Sequence, residues 1–213
     1  MRKIGIFGGS FDPVHYGHLR PALEVLEALS LDSMRFIPSS RPPHREAPQA
    51  SPAMRLAMLK AGIADEPRFQ VDDRELKRAT PSYTFDTLAE LKTEYPRDRL
   101  VLMVGLDAFL GFTTWHRWKE ILELAHLVVA HRPGSALDAR GDIAMLVQER
   151  EADDAQALLD REAGHIMLLP VTQLEISSSR LREMVAHGAD IRYLVPEAVR
   201  RVIQDSHCYA EVT

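Results

Sequence analysis

Residues 3–21 read KIGIFGGSFDPVHYGHLRP. An apolar run of strand length, Lys3–Phe7, leads into two glycines, a hydroxyl, a proline and two histidines three apart. Apolar residues at helical spacing follow at once in LRPALEVLEALSL (19–31). A strand that turns directly into a helix brings free N–H groups and a positive dipole end to the turn, where an anion is favoured. Gly8 and Gly9 fall in that turn, where the absence of Cβ permits positive φ and close approach of a ligand to the backbone. If the helix has begun by His15, then His15 and His18 share a face of its first turn and can donate imidazole N–H groups to phosphate oxygens. The same spacing suits a pair of zinc ligands, but no third ligand of matching motif is visible. Neither G-x-G-x-x-G nor G-x-x-x-x-G-K-[ST] is present.

The pattern repeats outward from this stretch. Further strand-like runs are Met34–Pro38, Phe69–Asp72, Arg99–Gly105, His126–His131 and His165–Val171. The segments LVLMVG, LVVAH and IMLLPV are apolar at consecutive positions, as strands covered on both faces of a parallel sheet are. Between the runs, SPAMRLAMLKAGIAD (51–65), YTFDTLAELKTEY (83–95) and RWKEILELA (117–125) carry apolar residues at helical spacing. Ser51 before Pro52 is an N-cap followed by a residue suited to the first helical position. This alternation implies an α/β fold with a doubly wound, mostly parallel sheet.

Residues 136–164 are acidic and helix-prone and read as a solvated helical excursion between two strands. ISSSRLREMVAHG (176–188) and VPEAVRRVIQDS (195–206) follow, one ending on Gly188 and the other carrying Pro196 near its first turn. The expectation is a single domain over 1–213, with 176–213 as a C-terminal helical subregion.

The 213 residues suffice for one well-buried domain. A net charge of −5 with no basic block removes the usual electrostatic signature of a nucleic-acid binder, while leaving room for a small anion held by a few local cations. Cys208 is the only cysteine, which excludes an intrachain disulfide and a cysteine-built zinc site. It reads as a bystander thiol. The start has no signal-peptide core and no apolar run reaches the length of a membrane span, so a cytoplasmic protein is expected, with neither nucleic acid nor membrane as partner.

GGSFDPVHYGHL (8–19) resembles the H-x-G-H signature of the nucleotidyltransferase superfamily, in the form found in nicotinate mononucleotide adenylyltransferases. IPSSRPPHR (37–45), ELKRATPSYTFDTL (75–88), GLDAF (105–109), Trp115 with His116, HRPG (131–134), ISSSRLR (176–182) and YLVP (193–196) recur in that family's order and spacing. The resemblance covers most of the chain but not residues 136–164. It implies a Rossmann-like fold and adenylyl transfer from ATP to nicotinate mononucleotide, giving deamido-NAD and pyrophosphate. It also implies Mg2+ arriving with ATP and no tightly bound, protein-ligated metal. The same chemistry on nicotinamide mononucleotide, and a nucleotide-binding regulator without turnover, are the alternatives.

Carried over residue by residue, the resemblance makes His15, His18 and Arg182 catalytic. His18 would meet the transferring α-phosphate. ATP would also be bound by Gly8, Gly9, Ser10, Gly105, Asp107, Arg132, Ser177 and Ser178. Here Asp107 would accept from ribose hydroxyls and the serines would donate to the β- and γ-phosphates. Ser179 stands where many relatives have Thr, with the hydroxyl kept. The mononucleotide would be held by Thr84, Trp115, His116, His44 and Arg45. Trp115 would stack on the pyridine ring, Thr84 and the His116 backbone N–H would meet its carboxylate, and His44 and Arg45 would reach its phosphate. Tyr83 and Trp118 are expected to be packing residues.

Overall fold

The computed structural model describes residues 1–40, 47–134 and 140–210. In chain order the elements are β1 (Lys3–Gly9), α1 (Tyr16–Ala28), β2 (Ser33–Pro38), α2 (Pro52–Gly62), β3 (Phe69–Val71), α3 (Arg74–Lys77), α4 (Thr84–Glu94), β4 (Arg99–Gly105) and α5 (Leu106–Leu110). A 3-10 turn (Phe112–Thr114) is followed by α6 (Trp118–Leu124), β5 (His126–His131), α7 (Asp142–Arg150), α8 (Ala155–Leu158), β6 (Ile166–Pro170), α9 (Ser178–Ala186) and α10 (Glu197–Ser206). The strands form one six-stranded sheet in the order β3-β2-β1-β4-β5-β6. The pairs β1–β4, β4–β5 and β5–β6 are all parallel, in register Ile4 with Leu100, Val101 with His126 and Leu127 with Ile166. The doubly wound Rossmann-like sheet expected from the sequence is therefore present.

The chain resolves into two compact units. The first comprises Met1–Gly8, Pro21–Arg35 and Tyr83–Gln173. Its core is the run of consecutive apolar residues in β4 and β5: Leu100 through Val104 and Leu127 through Ala130 are all buried. Burial on consecutive positions means that both faces of these strands are covered, and this is why they lack the alternation of a half-exposed strand. The strand order reverses direction at β1 and β4, and in open α/β sheets ligands bind outside the carboxyl ends of the strands at such a switch point. Gly8 is the last residue but one of β1, and Gly105 closes β4.

Residues 142–159 depart in part from the solvated excursion expected there. They are helical, as α7 and α8, but Ile143, Leu146, Leu158 and Leu159 are buried, and Glu151 bridges to Ile166 at the edge of β6. Apolar residues spaced three apart on an otherwise charged helix are sufficient to dock one face.

The second unit comprises Gly9–Arg20, Phe36–Ser82 and Leu174–Thr213. Here α2 lies against α10 so closely that a Cβ at Gly62 would stand 2.9 Å from Val14 Cγ1 and 3.0 Å from Val199 Cγ2. Ser51 caps α2 as expected, its hydroxyl accepting from Met54 N–H at 3.2 Å. Gly188 follows α9 at φ +72°, and the Gly188 and Ala189 N–H groups donate to Val185 and Met184 carbonyls. This is a Schellman-type ending. Among the described residues no helix is long and apolar enough to cross a membrane.

Candidate active site

The opening motif lies in the second unit from Gly9 onward. β1 runs through both glycines, contrary to the expectation that they form the turn, and neither has positive φ. The turn is made instead by residues 10–15, with Phe11 in the left-handed region at φ +48°. Gly9 leaves room for the Phe11 ring, which a Cβ would approach to 3.1 Å, and the role left to Gly8 is open space. Among the described residues a Cβ on Gly8, or on Gly105 at the end of β4, would meet nothing within 4 Å.

The loop that follows is held by its carbonyls. Gly9 C=O accepts from Ser39 N–H at 2.9 Å, Ser10 C=O from Arg55 Nη1 at 2.7 Å, Pro13 C=O from the Ser178 hydroxyl at 3.0 Å and Asp12 C=O from Arg182 Nη1 at 2.8 Å. Two arginines and a serine from α2 and α9 thus grip a six-residue connection, which fixes its conformation without regular hydrogen bonding of its own.

That loop delivers the histidines. His15 precedes the first turn of α1, its carbonyl accepting from His18 and Leu19 N–H groups at 2.8 and 3.2 Å. The two imidazoles lie face to face, 3.8 Å between centroids and 32° between planes, and Phe11 meets His18 edge-on at 5.2 Å. His15 is buried, which pushes its pKa down to about 4 and keeps the ring neutral near pH 7. Its Nδ1 is buried and has no hydrogen-bond partner among the described residues.

The serine block ends on the same loop. Ser177 is the N-cap of α9, its hydroxyl accepting from Arg180 N–H at 3.3 Å. The Ser178 hydroxyl, expected to donate to phosphate, donates to the Pro13 carbonyl instead, so Ser178 supports the loop. Arg182 is anchored through Nη1, and among the described residues its Nη2 has no protein partner. His15, His18, Ser177, Ser178 and Arg182 are thus gathered around one loop at the starts of two helices.

The first unit contains the other candidates. Asp107 is exposed in the first turn of α5, directly beyond Gly105 at the carboxyl end of β4, and Arg132 is exposed just beyond the end of β5. Thr84 opens α4, and the ring of Tyr83 before it stacks on His116 at 4.5 Å. Thr84 and His116 are therefore neighbours. Trp115 is half-buried with one side toward Phe112, 5.5 Å between centroids, while Trp118 packs edge-on against Phe112 at 5.9 Å. Arg117, in the left-handed region, places its guanidinium 3.6 Å over the Phe85 ring. His44 and Arg45 lie outside the described residues.

Three residues with a part in the site were not anticipated from sequence: Asp12, Arg55 and Tyr209. Arg55 is 1% exposed, on a helix that reads as ordinary amphipathic structure, and its burial together with the Asp12 charge nearby pulls its pKa in opposite directions, burial winning.

Comparison with known proteins agrees with the geometry. The cytidylyltransferase-like family model matches residues 6–184. A relative from Methylococcus capsulatus, named "probable nicotinate-nucleotide adenylyltransferase", is 46% identical over 98% of this chain and all of its own length. One of the same name from Pseudomonas aeruginosa is 43% identical, covering 98% of this chain and 97% of itself. The solved structure of the Plasmodium falciparum nicotinic acid mononucleotide adenylyltransferase complexed with NaAD superposes with a TM-score of 0.74 at 17% identity, covering 98% of each chain, a likeness of fold. With its sheet order, its H-x-G-H loop and relatives matching along almost their full length, the chain belongs to the nicotinate-nucleotide adenylyltransferase family.

Proposed function

We propose that the protein transfers the adenylyl group of ATP to nicotinate mononucleotide. A phosphate oxygen of the mononucleotide attacks the α-phosphorus in line, the bond to the β-phosphate bridging oxygen breaks, and pyrophosphate leaves with the electron pair. Deamido-NAD is the other product. No covalent enzyme intermediate is needed, so the protein's task is to position two anions and stabilise developing charge.

The observation that carries this reading is the convergence of two helix starts and their side chains on the loop 10–15. His15 and His18 at the start of α1, and Ser177 with Arg182 on α9, offer N–H, O–H and guanidinium donors with little carboxylate among them. Such a donor set suits phosphate oxygens. It suits Mg2+ poorly, since that ion prefers carboxylate, water and substrate phosphate. ATP is accordingly assigned as its Mg2+ complex, with the ion held mainly by the phosphates, where it screens their charge.

In this assignment His18 donates to the α-phosphate, His15 to an adjacent phosphate oxygen, and Ser177 and Arg182 to the β- and γ-phosphates. Gly8 and Gly105 leave room for the nucleotides at the strand ends, Gly9 is assigned to the nucleotide through its backbone beside the Phe11 ring, and Ser10 lies in the connection beyond. Asp107 accepts from ribose hydroxyls and Arg132 borders the adenosine. Trp115 stacks on the pyridine ring. The Thr84 hydroxyl and the His116 N–H donate to its carboxylate, an arrangement that the neutral amide of nicotinamide would leave partly unpaired. His44 and Arg45 are assigned to the mononucleotide phosphate on resemblance alone.

Pyrophosphate release by the purified protein with ATP, Mg2+ and each mononucleotide tests the reading. Release is expected only when ATP and a pyridine mononucleotide are both present, with kcat/KM at least about a hundredfold higher for the acid. ATP binding without turnover on either acceptor would replace the enzyme by a nucleotide-binding regulator. Equal efficiency with both acceptors would remove the donor pocket.

A further inference from the structure

Asp12 and Tyr209 have no part in the reaction assigned above, yet they meet at the centre of its machinery. Asp12 is 2% exposed. Its Oδ1 accepts from the Tyr209 hydroxyl at 2.6 Å and from Ala50 N–H at 3.1 Å, and its Oδ2 from Gln49 N–H at 2.8 Å. Arg182 Nη1 lies 3.7 Å from Oδ2 while donating to the Asp12 backbone carbonyl. A carboxylate has about four acceptor sites, and here three hydrogen bonds and one guanidinium surround it. Nothing is left over for a substrate, so Asp12 acts on other protein groups.

The groups it holds decide what it does. Among the described residues Arg182 has one hydrogen-bonded anchor, from Nη1 to the Asp12 backbone carbonyl, and its buried Nε has no partner. The orientation of its free Nη2 therefore follows Asp12. The loop that Asp12 belongs to carries His15 three residues on. On the far side, Tyr209 is in the left-handed region at φ +71°, a conformation that needs surrounding contacts to persist, and its hydroxyl is aimed at Asp12.

We propose that Tyr209 and Asp12 form a positioning relay for the phosphate site. The tyrosine hydroxyl fixes the carboxylate, and the fixed Asp12 holds the Arg182 guanidinium by its backbone carbonyl, with Oδ2 adding attraction at 3.7 Å, and sets the loop entering His15. Tyr209, 197 residues away from Asp12 in sequence, thereby sets the geometry of a phosphate-binding cation without touching substrate. The relay rests on the adenylyl-transfer reading for its effect on rate, but not for its geometry.

Tyr209→Phe, Asp12→Asn and the double variant test it. Tyr209→Phe keeps the ring and deletes one donor. It is expected to lower kcat about tenfold with the mononucleotide KM within about twofold, because orientation of a charge-stabilising group is lost and substrate contacts are not. Asp12→Asn is expected to lower kcat more, and adding Tyr209→Phe to it should cost nothing further, as for residues acting in series. The Nε–Hε resonance of Arg182, assigned with Arg182→Lys, should move in Tyr209→Phe.

Near-normal kcat in Tyr209→Phe, effects that multiply in the double variant, or an unmoved Arg182 resonance would each overturn the relay. So would a kcat loss that merely follows the melting temperature and recovers on cooling. Absence of turnover in the unmodified protein would overturn the adenylyl-transfer reading, and the Arg182 resonance alone would then decide the relay.

Discussion

Gly17 shows what the third position of the H-x-G-H spacing does. A Cβ there would stand 2.9 Å from His15 Nδ1 and 3.2 Å from the Ile176 carbonyl oxygen, so the His15 ring occupies the space a side chain would need. Gly17→Ala is expected to shift that ring off His18 and lower kcat by about ten- to a hundredfold, with an unchanged circular dichroism spectrum, since a misplacement of about 1 Å has this scale of effect. A folded Gly17→Ala enzyme with normal kcat would show that the stack is dispensable. Trp115→Ala is expected to raise the mononucleotide KM by about ten- to a hundredfold and leave the ATP KM nearly unchanged, on the scale of roughly 1–3 kcal/mol for base–aromatic stacking. Equal effects on both substrates with a lowered melting temperature would make Trp115 a packing residue. The two histidines and the glycine between them are legible in sequence because one helical turn brings them together. Asp12 stands in the same quoted stretch, but its partners lie 37 to 197 residues away, and no local pattern reports such pairings.

At the scale of elements, α9 illustrates a divided role. Ser177 holds its first turn, Ser178 reaches the loop, and Arg182 extends from one turn further along. Ser177→Ala should cost about 1 kcal/mol as a lost N-cap, lowering the melting temperature by a few degrees, together with a fall in activity greater than that loss of stability explains. Unchanged activity would confine Ser177 to capping. Most elements here could be anticipated because they are long enough to show a period. The short α3, α5 and α8 could not, since four or five residues hold barely one turn. β1 outruns its expected end at Phe7 for a different reason. Glycine has low intrinsic strand preference, and sheet pairing at the carboxyl end overrides it. The charge of α7 masks a narrow apolar stripe in its sequence, and that stripe docks through the buried Ile143 and Leu146.

For the molecule as a whole, each compact unit contains a buried neutral imidazole. His15 belongs to the second unit. His126, fully buried at the start of β5, belongs to the first, with Nε2 at 3.2 Å from the Arg161 carbonyl. Burial pushes both down to about 4 from an ordinary 6.5. Above pH 6.5 both folded and unfolded chains carry these rings neutral, and they leave stability unaffected. As the pH falls from 6.5 to 4, the unfolded chain takes up protons that the folded chain refuses, so stability drops, and below pH 4 the loss levels off. At about 1.4 kcal/mol per tenfold change in proton affinity, each ring lowers stability by up to roughly 3 kcal/mol at pH 4. Urea unfolding at pH 7 and pH 5 should show this fall, and His126→Gln should flatten it. A His126→Gln variant with an unaltered pH slope would place the acid sensitivity elsewhere.

The bare ends of β1 and β4 lead further. Among the described residues nothing occupies the space beside Gly8 or Gly105, and neither glycine needs a conformation closed to alanine. Folding therefore does not require glycine at either place. Alanine would restrict the unfolded chain and raise stability by about 0.4–1 kcal/mol, while its methyl group would project where the nucleotides are assigned. Gly8→Ala and Gly105→Ala should melt at higher temperature and turn over more slowly. Such a result would identify these glycines as a stability–activity trade-off, in which open strand ends are kept at the expense of a more robust fold.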